Sequence, residues 1–280
     1  MPRQSPTVWR RRLGNELRKL RDAAGLTIDD VATRLECSSS KISRIETSQV
    51  GATPRDVRDM LELYDVSDTQ RDELIQLARE ARQKSWLAAY SDLPFAPLIG
   101  LEAAAASLRT YSALIIPGHL QTKAYAEAVI RAVRPDLPDK ELERRVELRL
   151  RRQQFLTQDD PSLFWVVLDE AVLCRPVGGT HVMRQQLQRL IELAPLENVT
   201  MQVLPFSAGA HAAMDGEFTI VSFRNPADPD TVYIESATDD LYIEDSDAVR
   251  RHNALFDDLR AAALGTPESL EFLVEKERQL

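Results

Sequence analysis

The chain has 280 residues, of which 44% are apolar, and its formal net charge at pH 7 is −9. This length suggests two domains, and the apolar content suits packed cores rather than a disordered chain. The acidic balance argues against a general nucleic-acid coat. No apolar run is long enough to predict a membrane span, and Cys37 and Cys174 lack the Cys-x-x-Cys spacing of a zinc site.

Charge is unevenly distributed along the chain. Residues 1–60 carry 12 Lys and Arg against 8 Asp and Glu, so the remaining 220 residues hold a net charge of −13. A basic N-terminal segment followed by an acidic remainder is typical of a DNA-binding domain joined to a domain with a different function. The first residues lack the apolar block of a signal peptide, and two distant cysteines fit a reducing compartment, so we expect a cytoplasmic protein.

Two helices are predicted at the start of the chain. Residues 8–24 form the first, because apolar residues recur at spacings of three and four at Trp9, Leu13, Leu17 and Leu20. Gly25 then ends this helix. Thr27 begins the second helix as its N-cap, and Asp30 lies where a capping box needs an acid.

A third, polar helix follows closely and is the most informative stretch of the sequence. Ser38 is its predicted N-cap, and Ile42 and Ile45 share its apolar face. The opposite face carries Ser40, Ser43, Arg44 and Thr47, with Ser39 and Lys41 on its flanks. Small hydroxyl side chains allow close approach to DNA, and the cations can meet phosphate or guanine. Two short helices joined by a tight turn, the second exposed and polar, make a helix-turn-helix pattern.

The stretches Gly25–Ala32 and Ser40–Glu46 resemble the Xre/lambda-repressor family of DNA-binding domains. Pro54 and the apolar spacing after it predict a fourth helix at 54–64, and a fifth is predicted at 67–84. These five helices complete an all-α, lambda-repressor-like domain. By position, the resemblance implies that bases are read by Ser39, Ser40, Ser43 and Arg44. It implies that phosphates are contacted by Thr27, Lys41 and Thr47, and that Arg21 and Glu46 form a structural ion pair.

We predict a DNA-binding domain at 1–84, a connector at 85–98 and a second domain at 99–280. In the second domain the pattern predicts helices at 99–109, 123–133, 139–157, 180–194, 247–264 and 267–279. Strands are predicted at 163–168, 199–204, 218–223, 232–235 and 241–243. Helices flanking a cluster of strands indicate an α+β fold with a mainly antiparallel sheet. The 139–157 helix carries five arginines interleaved with glutamates, which favours a solvated or partner-facing surface over DNA contact.

A second resemblance covers about residues 100–275. Its motifs include Arg109–Tyr111, Ile116–Thr122, Asp169–Leu173, Arg175–Gly179 and Leu204–His211. Together they resemble the uncharacterised domain that follows an Xre-type helix-turn-helix in many actinobacterial, streptomycete-type regulators. That resemblance implies control by a small protein encoded by a neighbouring gene.

The same motifs supply the candidate effector or partner residues, namely Arg109, Tyr111, His119, Asp169, Glu170, Arg175 and His211. Asp169 and Glu170 have the residue types for acid–base catalysis, although acids after a strand more often cap the next element. Cys174 and His181 lack an orienting third group, so we interpret their spacing as incidental. The sequence predicts no metal site, no cofactor and no enzymatic activity.

The combined prediction is a transcriptional regulator, a repressor that binds a palindromic operator in double-stranded DNA as a homodimer. One short recognition helix covers too few base pairs for useful selectivity, so two half-sites are expected. Its C-terminal domain would dimerise and sense a small partner protein, and the protein would associate with the nucleoid when bound to DNA. Three alternatives are a toxin–antitoxin-like protein with autoregulatory DNA binding, a regulator that senses a small molecule, and an enzyme tethered to DNA.

Overall fold

The computed structural model describes residues 6–82, 96–158, 160–225, 228–236 and 240–280. The chain divides into two compact units, Met1–Ala104 and Ala105–Leu280. The predicted connector at 85–98 lies outside the described residues as far as residue 95. Residues 96–102 form a helix of the first unit.

The described part of the first unit is all helical. Its helices are α1 (Pro6–Ala23), α2 (Ile28–Arg34), α3 (Ser39–Glu46), α4 (Pro54–Leu63), α5 (Asp68–Glu80) and α6 (Ala96–Glu102). The predicted caps of α2 and α3 are confirmed, since Thr27 and Asp30 form a capping box and the Ser38 hydroxyl accepts from the Lys41 amide. Gly25 has φ +68°, and the Leu26 amide donates to the Arg21 carbonyl, so α1 ends as predicted.

The core of this unit is built by one apolar face from each of α1 to α5. Leu17, Val31, Ile42, Val57 and Ala78 are all essentially inaccessible to solvent. Gly14 lies where α1 and α3 cross, and a Cβ there would be 2.7 Å from the Glu46 carbonyl oxygen and 2.8 Å from that of Ile45. This glycine therefore allows the two helix backbones to approach closely.

The second unit is α+β, as predicted. Its helices are α7 (Lys123–Val133), α8 (Asp139–Arg152), α9 (Gln154–Thr157), α10 (Glu170–Cys174), α11 (Thr180–Leu193), α12 (Ser246–Ala262) and α13 (Thr266–Gln279). Its strands are β1 (Ala105–Ser112), β2 (Leu163–Asp169), β3 (Val199–Leu204), β4 (Phe218–Phe223), β5 (Thr231–Ile234) and β6 (Leu241–Ile243).

These six strands form one sheet in the order β3-β2-β1-β4-β5-β6. The β1–β2 and β2–β3 pairs are parallel, whereas β1–β4, β4–β5 and β5–β6 are antiparallel. The sheet is therefore mixed and mainly antiparallel. Helix α12 covers the face that bears Tyr111, Val167 and Ile220. Leu108 and Phe164 on the opposite face are equally buried, so helices or loops cover both faces.

The helix predicted at 99–109 is wrong. The observed helix, α6, ends at Glu102, and β1 begins at Ala105 and runs through the centre of the sheet. The run of alanines at 103–106 favours helix by intrinsic propensity. Pairing with β2 on one side and β4 on the other, together with the burial of Leu108 and Tyr111, outweighs that propensity.

Candidate functional site

The helix-turn-helix element consists of α2, a turn at residues 35–38, and α3. Glu36 in the turn has φ +50°, the left-handed conformation that reverses the chain within a few residues. Ile42 and Ile45 are buried in the core, which directs the opposite face of α3 to solvent. The sequence therefore folds into a helix with one anchored and one exposed face.

Three of the residues predicted to read bases are available on the exposed face. Ser40 and Arg44 are exposed and Ser43 is half-buried. None of these three side chains makes a hydrogen bond or ion pair with any other described residue. The guanidinium of Arg44 therefore lies beside two small hydroxyl groups and has no partner among the described residues. A guanidinium can donate two hydrogen bonds to one guanine.

The other predicted DNA contacts already have partners within the protein. The Ser39 hydroxyl donates to Asp29, and the Thr47 hydroxyl donates to the Ser43 carbonyl at 2.8 Å. The Thr27 hydroxyl belongs to the capping box of α2. Lys41 Nζ lies 2.7 Å from Asp56 Oδ1, and this hydrogen bond raises the pKa of Lys41 above its usual value. Of these four side chains, Lys41 would have to exchange a carboxylate for a phosphate on binding DNA.

Arg21 and Glu46 lie together between α1 and α3. Arg21 Nε and Nη2 donate to the two carboxylate oxygens of Glu46 at 2.7 and 2.9 Å, and Nη1 donates to Asp22 and to the Leu26 carbonyl. The hydrogen bond to Glu46 is the main reason that the pKa of Arg21 is raised. This pair fixes the end of α3 against α1, and four of the five guanidinium N–H groups of Arg21 are used within the protein.

In the second unit, the structure brings together three of the seven candidate effector residues. Tyr111 and Asp169 lie at the carboxyl ends of the parallel strands β1 and β2, and His211 follows β3. The Tyr111 hydroxyl donates to Asp169 Oδ2 at 3.1 Å and lies 3.3 Å from His211 Nε2. His211 Nδ1 accepts from the Ala213 amide, which leaves Nε2 to donate to Tyr111. Burial and the neighbouring Asp169 raise the pKa of Tyr111.

The other four candidates lie apart from this network. Glu170 accepts from the Phe206 amide at 2.9 Å and forms an ion pair with Lys276, so it joins a loop to α13. Arg109 lies farther back on β1, where it donates to Ser222. His119 is buried between the rings of Phe155 and Phe164. Arg175 is exposed after α10.

The sequence analysis did not predict the interactions of three residues, Asp29, Asp56 and Arg149. Asp29 and Asp56 hold Ser39 and Lys41, and no sequence signal predicted those pairings across helices. Arg149 was predicted to lie on a solvated or partner-facing surface, and it is half-buried. The sequence did indicate that Arg149 has no acidic partner one turn away, because residues 145 and 153 are Arg and Gln.

Among the described residues, no group of three or more His, Cys, Asp and Glu side chains could hold a metal ion. Over the same ranges, no helix combines the length and apolar character that a bilayer crossing requires.

The first unit therefore has the fold and the exposed helix of the helix-turn-helix class, which is typical of DNA-binding regulators rather than enzymes. Residues 12–74 match the helix-turn-helix domain family. Residues 95–275, more than half of the chain, match the domain of unknown function DUF5753, and the protein belongs to that family. No curated protein and no solved structure matches the chain.

Proposed function

We propose that this protein is a sequence-specific transcriptional repressor of the Xre type that binds a palindromic operator as a homodimer. The observation that carries the proposal is the exposed face of α3, on which Ser40, Ser43 and Arg44 have no partner among the described residues. A charged side chain held by an anchored helix and left without an intramolecular partner is suited to an external one. Guanine in the major groove provides two acceptors in the geometry of a guanidinium.

Dimerisation follows from the size of this surface. Helix α3 has eight residues and can contact only a few base pairs. Two such helices on half-sites about one DNA turn apart would double the number of bases that are read. We assign dimerisation to the C-terminal unit, because it would leave α3 of each copy free for DNA.

The C-terminal unit is proposed to sense a small partner protein, and its exposed apolar residues support this role. Leu114, Phe206 and Met214 are 61%, 60% and 68% exposed and follow the carboxyl ends of β1 and β3. The backbones of two of them are held in place, since Glu217 accepts from the Leu114 amide and Glu170 from the Phe206 amide. Large apolar side chains displayed on fixed loops are typical of protein interfaces.

The proposal is tested by selecting duplexes from a random DNA library with the purified full-length chain and with Arg44→Ala. We expect the wild-type chain to enrich a palindrome with half-sites about one turn apart. Arg44→Ala should bind that palindrome on the order of 10-fold to 100-fold more weakly, because one bidentate base contact contributes about 1–3 kcal/mol.

Arg79→Ala is the matched control, since Arg79 is also exposed but lies on α5. Its affinity for the palindrome should equal that of the wild type. Equal binding by Arg44→Ala and wild type, or no enriched sequence, would contradict the proposal. An enriched motif without twofold symmetry would contradict the dimer.

A further inference from the structure

Arg10, near the start of α1, packs against the loop that follows α3. It lies one turn before Gly14, the position that faces the last carbonyl groups of α3. The Ser48 hydroxyl donates to the Arg10 carbonyl at 3.1 Å, and a Cβ on Gly51 would lie 3.5 Å from Arg10 Nε. The side chain of Arg10 is therefore held against the loop of residues 47–53.

The guanidinium of Arg10 has no partner in the described part of the chain. Its Nε is shielded from solvent without a hydrogen bond, and its terminal nitrogens form no hydrogen bond or ion pair there. The loop beside it, Thr-Ser-Gln-Val-Gly-Ala-Thr, contains no acid. The acids that flank this loop in sequence are already paired, Glu46 with Arg21 and Asp56 with Lys41. A half-buried cation without an ion pair is suited to an anion from another molecule.

The C-terminal end of α3 lies close to the DNA backbone when α3 occupies the major groove. A helix of eight residues is about 12 Å long, and the major groove is about 12 Å wide. A helix of that length that spans the groove has its two ends beside the phosphates that border it. The loop at 47–53, with the Arg10 side chain held against it, lies at one of these ends.

The phosphate contacts expected from the sequence resemblance are occupied within the protein. The hydroxyls of Thr27 and Thr47 are hydrogen-bonded, and Lys41 is paired with Asp56. Arg10 is not one of those residues, and it can bind a phosphate without first releasing an intramolecular partner. A guanidinium can donate two parallel hydrogen bonds to one phosphate group.

We propose that Arg10 binds a phosphate of the DNA backbone at the C-terminal end of α3. The inference rests on the proposed DNA-binding function and adds a contact that positions α3 in the groove. Phosphate contacts fix the register and orientation of a protein on the duplex but carry no sequence information. Arg10 therefore contributes equally to the affinity for every sequence, whereas Arg44 contributes to the choice between sequences.

The test is the salt dependence of DNA binding by the full-length chain, measured by fluorescence anisotropy with the selected palindrome and with a random duplex. Arg10→Gln should reduce the slope of log K against log salt concentration by about 0.9 for each copy bound. It should weaken binding to the two duplexes by the same factor, whereas Arg44→Ala should weaken binding to the palindrome more. A purely structural role of Arg10 would change affinity without changing the slope, because the slope counts the phosphates that are neutralised.

Arg12→Gln is the matched control for the loss of one positive charge. Arg12 also lacks a partner among the described residues, but two residues of helix turn its side chain by about 200°, to the face of α1 opposite Arg10. This variant should keep the wild-type slope. Arg10→Lys retains the charge beside the loop and should also keep the slope.

An unchanged slope in Arg10→Gln, with the palindrome still bound, would reject this contact and leave the proposed function intact. An equal loss of slope in Arg12→Gln would also reject it, because the effect would then be one of net charge. A slope lost only in Arg10→Gln, with no palindrome enriched, would support the contact and contradict the sequence-specific repressor. Failure of the wild-type chain to bind any duplex would reject both. Should Arg10→Gln fail to fold, Arg10→Met, which retains an aliphatic stem against the loop, decides by the same slope.

Discussion

Arg21 holds the end of α3 against α1 through a buried ion pair with Glu46. Its guanidinium makes two hydrogen bonds to Glu46 at the end of α3, and others to Asp22 and to the Leu26 carbonyl. The exposed fractions of the Arg21 and Glu46 side chains are 9% and 3%. Removal of either partner would leave the other charge buried without compensation, which is more costly than removing both.

Arg21→Met should therefore destabilise the N-terminal unit by about 3–5 kcal/mol, whereas Arg21→Met combined with Glu46→Leu should recover most of that loss. Hydrogen–deuterium exchange of peptides that cover α3 measures the change in the full-length chain. Peptides from α11 in the other unit serve as the internal control. A double variant as unstable as the single one would show that the pair contributes more than the compensation of a buried charge.

Two other residue-scale features show what the sequence could and could not predict about the site. Ser40, Ser43 and Arg44 were placed on the exposed face by the 3.6-residue period alone, since Ile42 and Ile45 determine the opposite face. The pairing of Lys41 with Asp56 was not predictable in this way, because it depends on how α4 crosses α3. The hydrogen bond from Arg149 to Gln121 was not predictable either, because it joins α8 to the turn at residues 118–121.

At the scale of elements, the contact between α1 and α3 depends on one glycine. A methyl group at Gly14 would overlap the carbonyl oxygens of Ile45 and Glu46, and neither helix can yield without disturbing the core. We expect Gly14→Ala to destabilise the N-terminal unit by about 2 kcal/mol, despite the higher helix propensity of alanine. Hydrogen–deuterium exchange of peptides that cover α3 measures this loss of stability.

Gly51→Ala is the comparison variant for this prediction. The nearest atom to a Cβ at Gly51 is the Nε of Arg10 at 3.5 Å, an ordinary contact. Its stability should stay within about 0.5 kcal/mol of wild type. If Gly14→Ala were as stable as Gly51→Ala, the close approach of the helices would not depend on the missing side chain.

Most elements of the second unit followed from local pattern, and the exception has a physical cause. Strands β3, β4 and β6 were predicted with the bounds observed, because short apolar runs between turn residues are typical of buried strands. Strand β1 reads Ala-Ala-Ser-Leu-Arg-Thr-Tyr-Ser and lacks such a run. Its conformation comes from pairing with β2 and β4, which only the assembled sheet provides.

At the scale of the whole molecule, charge separates the two units. Residues 1–104 hold 16 basic and 16 acidic side chains, whereas residues 105–280 hold 19 and 28, so the second unit carries the entire net charge of −9. DNA phosphates repel this charge over distances up to the Debye length. In the proposed function, this repulsion would weaken binding to non-specific DNA, and the contacts made by α3 would then decide affinity.

Reversing three acids should therefore raise affinity for random duplex DNA. Glu143, Asp258 and Glu271 are exposed, and changing each to Lys brings the net charge from −9 to −3. At low salt we expect an increase on the order of 10-fold, which shrinks as salt shortens the Debye length from about 30 Å at 0.01 M to about 10 Å at 0.1 M. Fluorescence anisotropy with labelled duplex DNA measures the affinity and its dependence on salt concentration.

The matched set Glu143→Gln, Asp258→Asn and Glu271→Gln halves the charge change and should give a smaller increase. Equal affinity of the Lys variant and wild type at low salt would show that the charge of the second unit does not reach bound DNA.

The position of β1 also determines the order in which the protein can fold during synthesis. The strand leaves the ribosome early, but its partners arrive much later, since Ser107 pairs with Leu163 and Tyr111 with Phe218. Among the described residues, the buried core shared by α1 to α5 is built from side chains between Leu13 and Ala78. Because the loop entropy of such distant pairings delays the sheet, the nascent chain carries a finished helix-turn-helix while the second unit is still being translated.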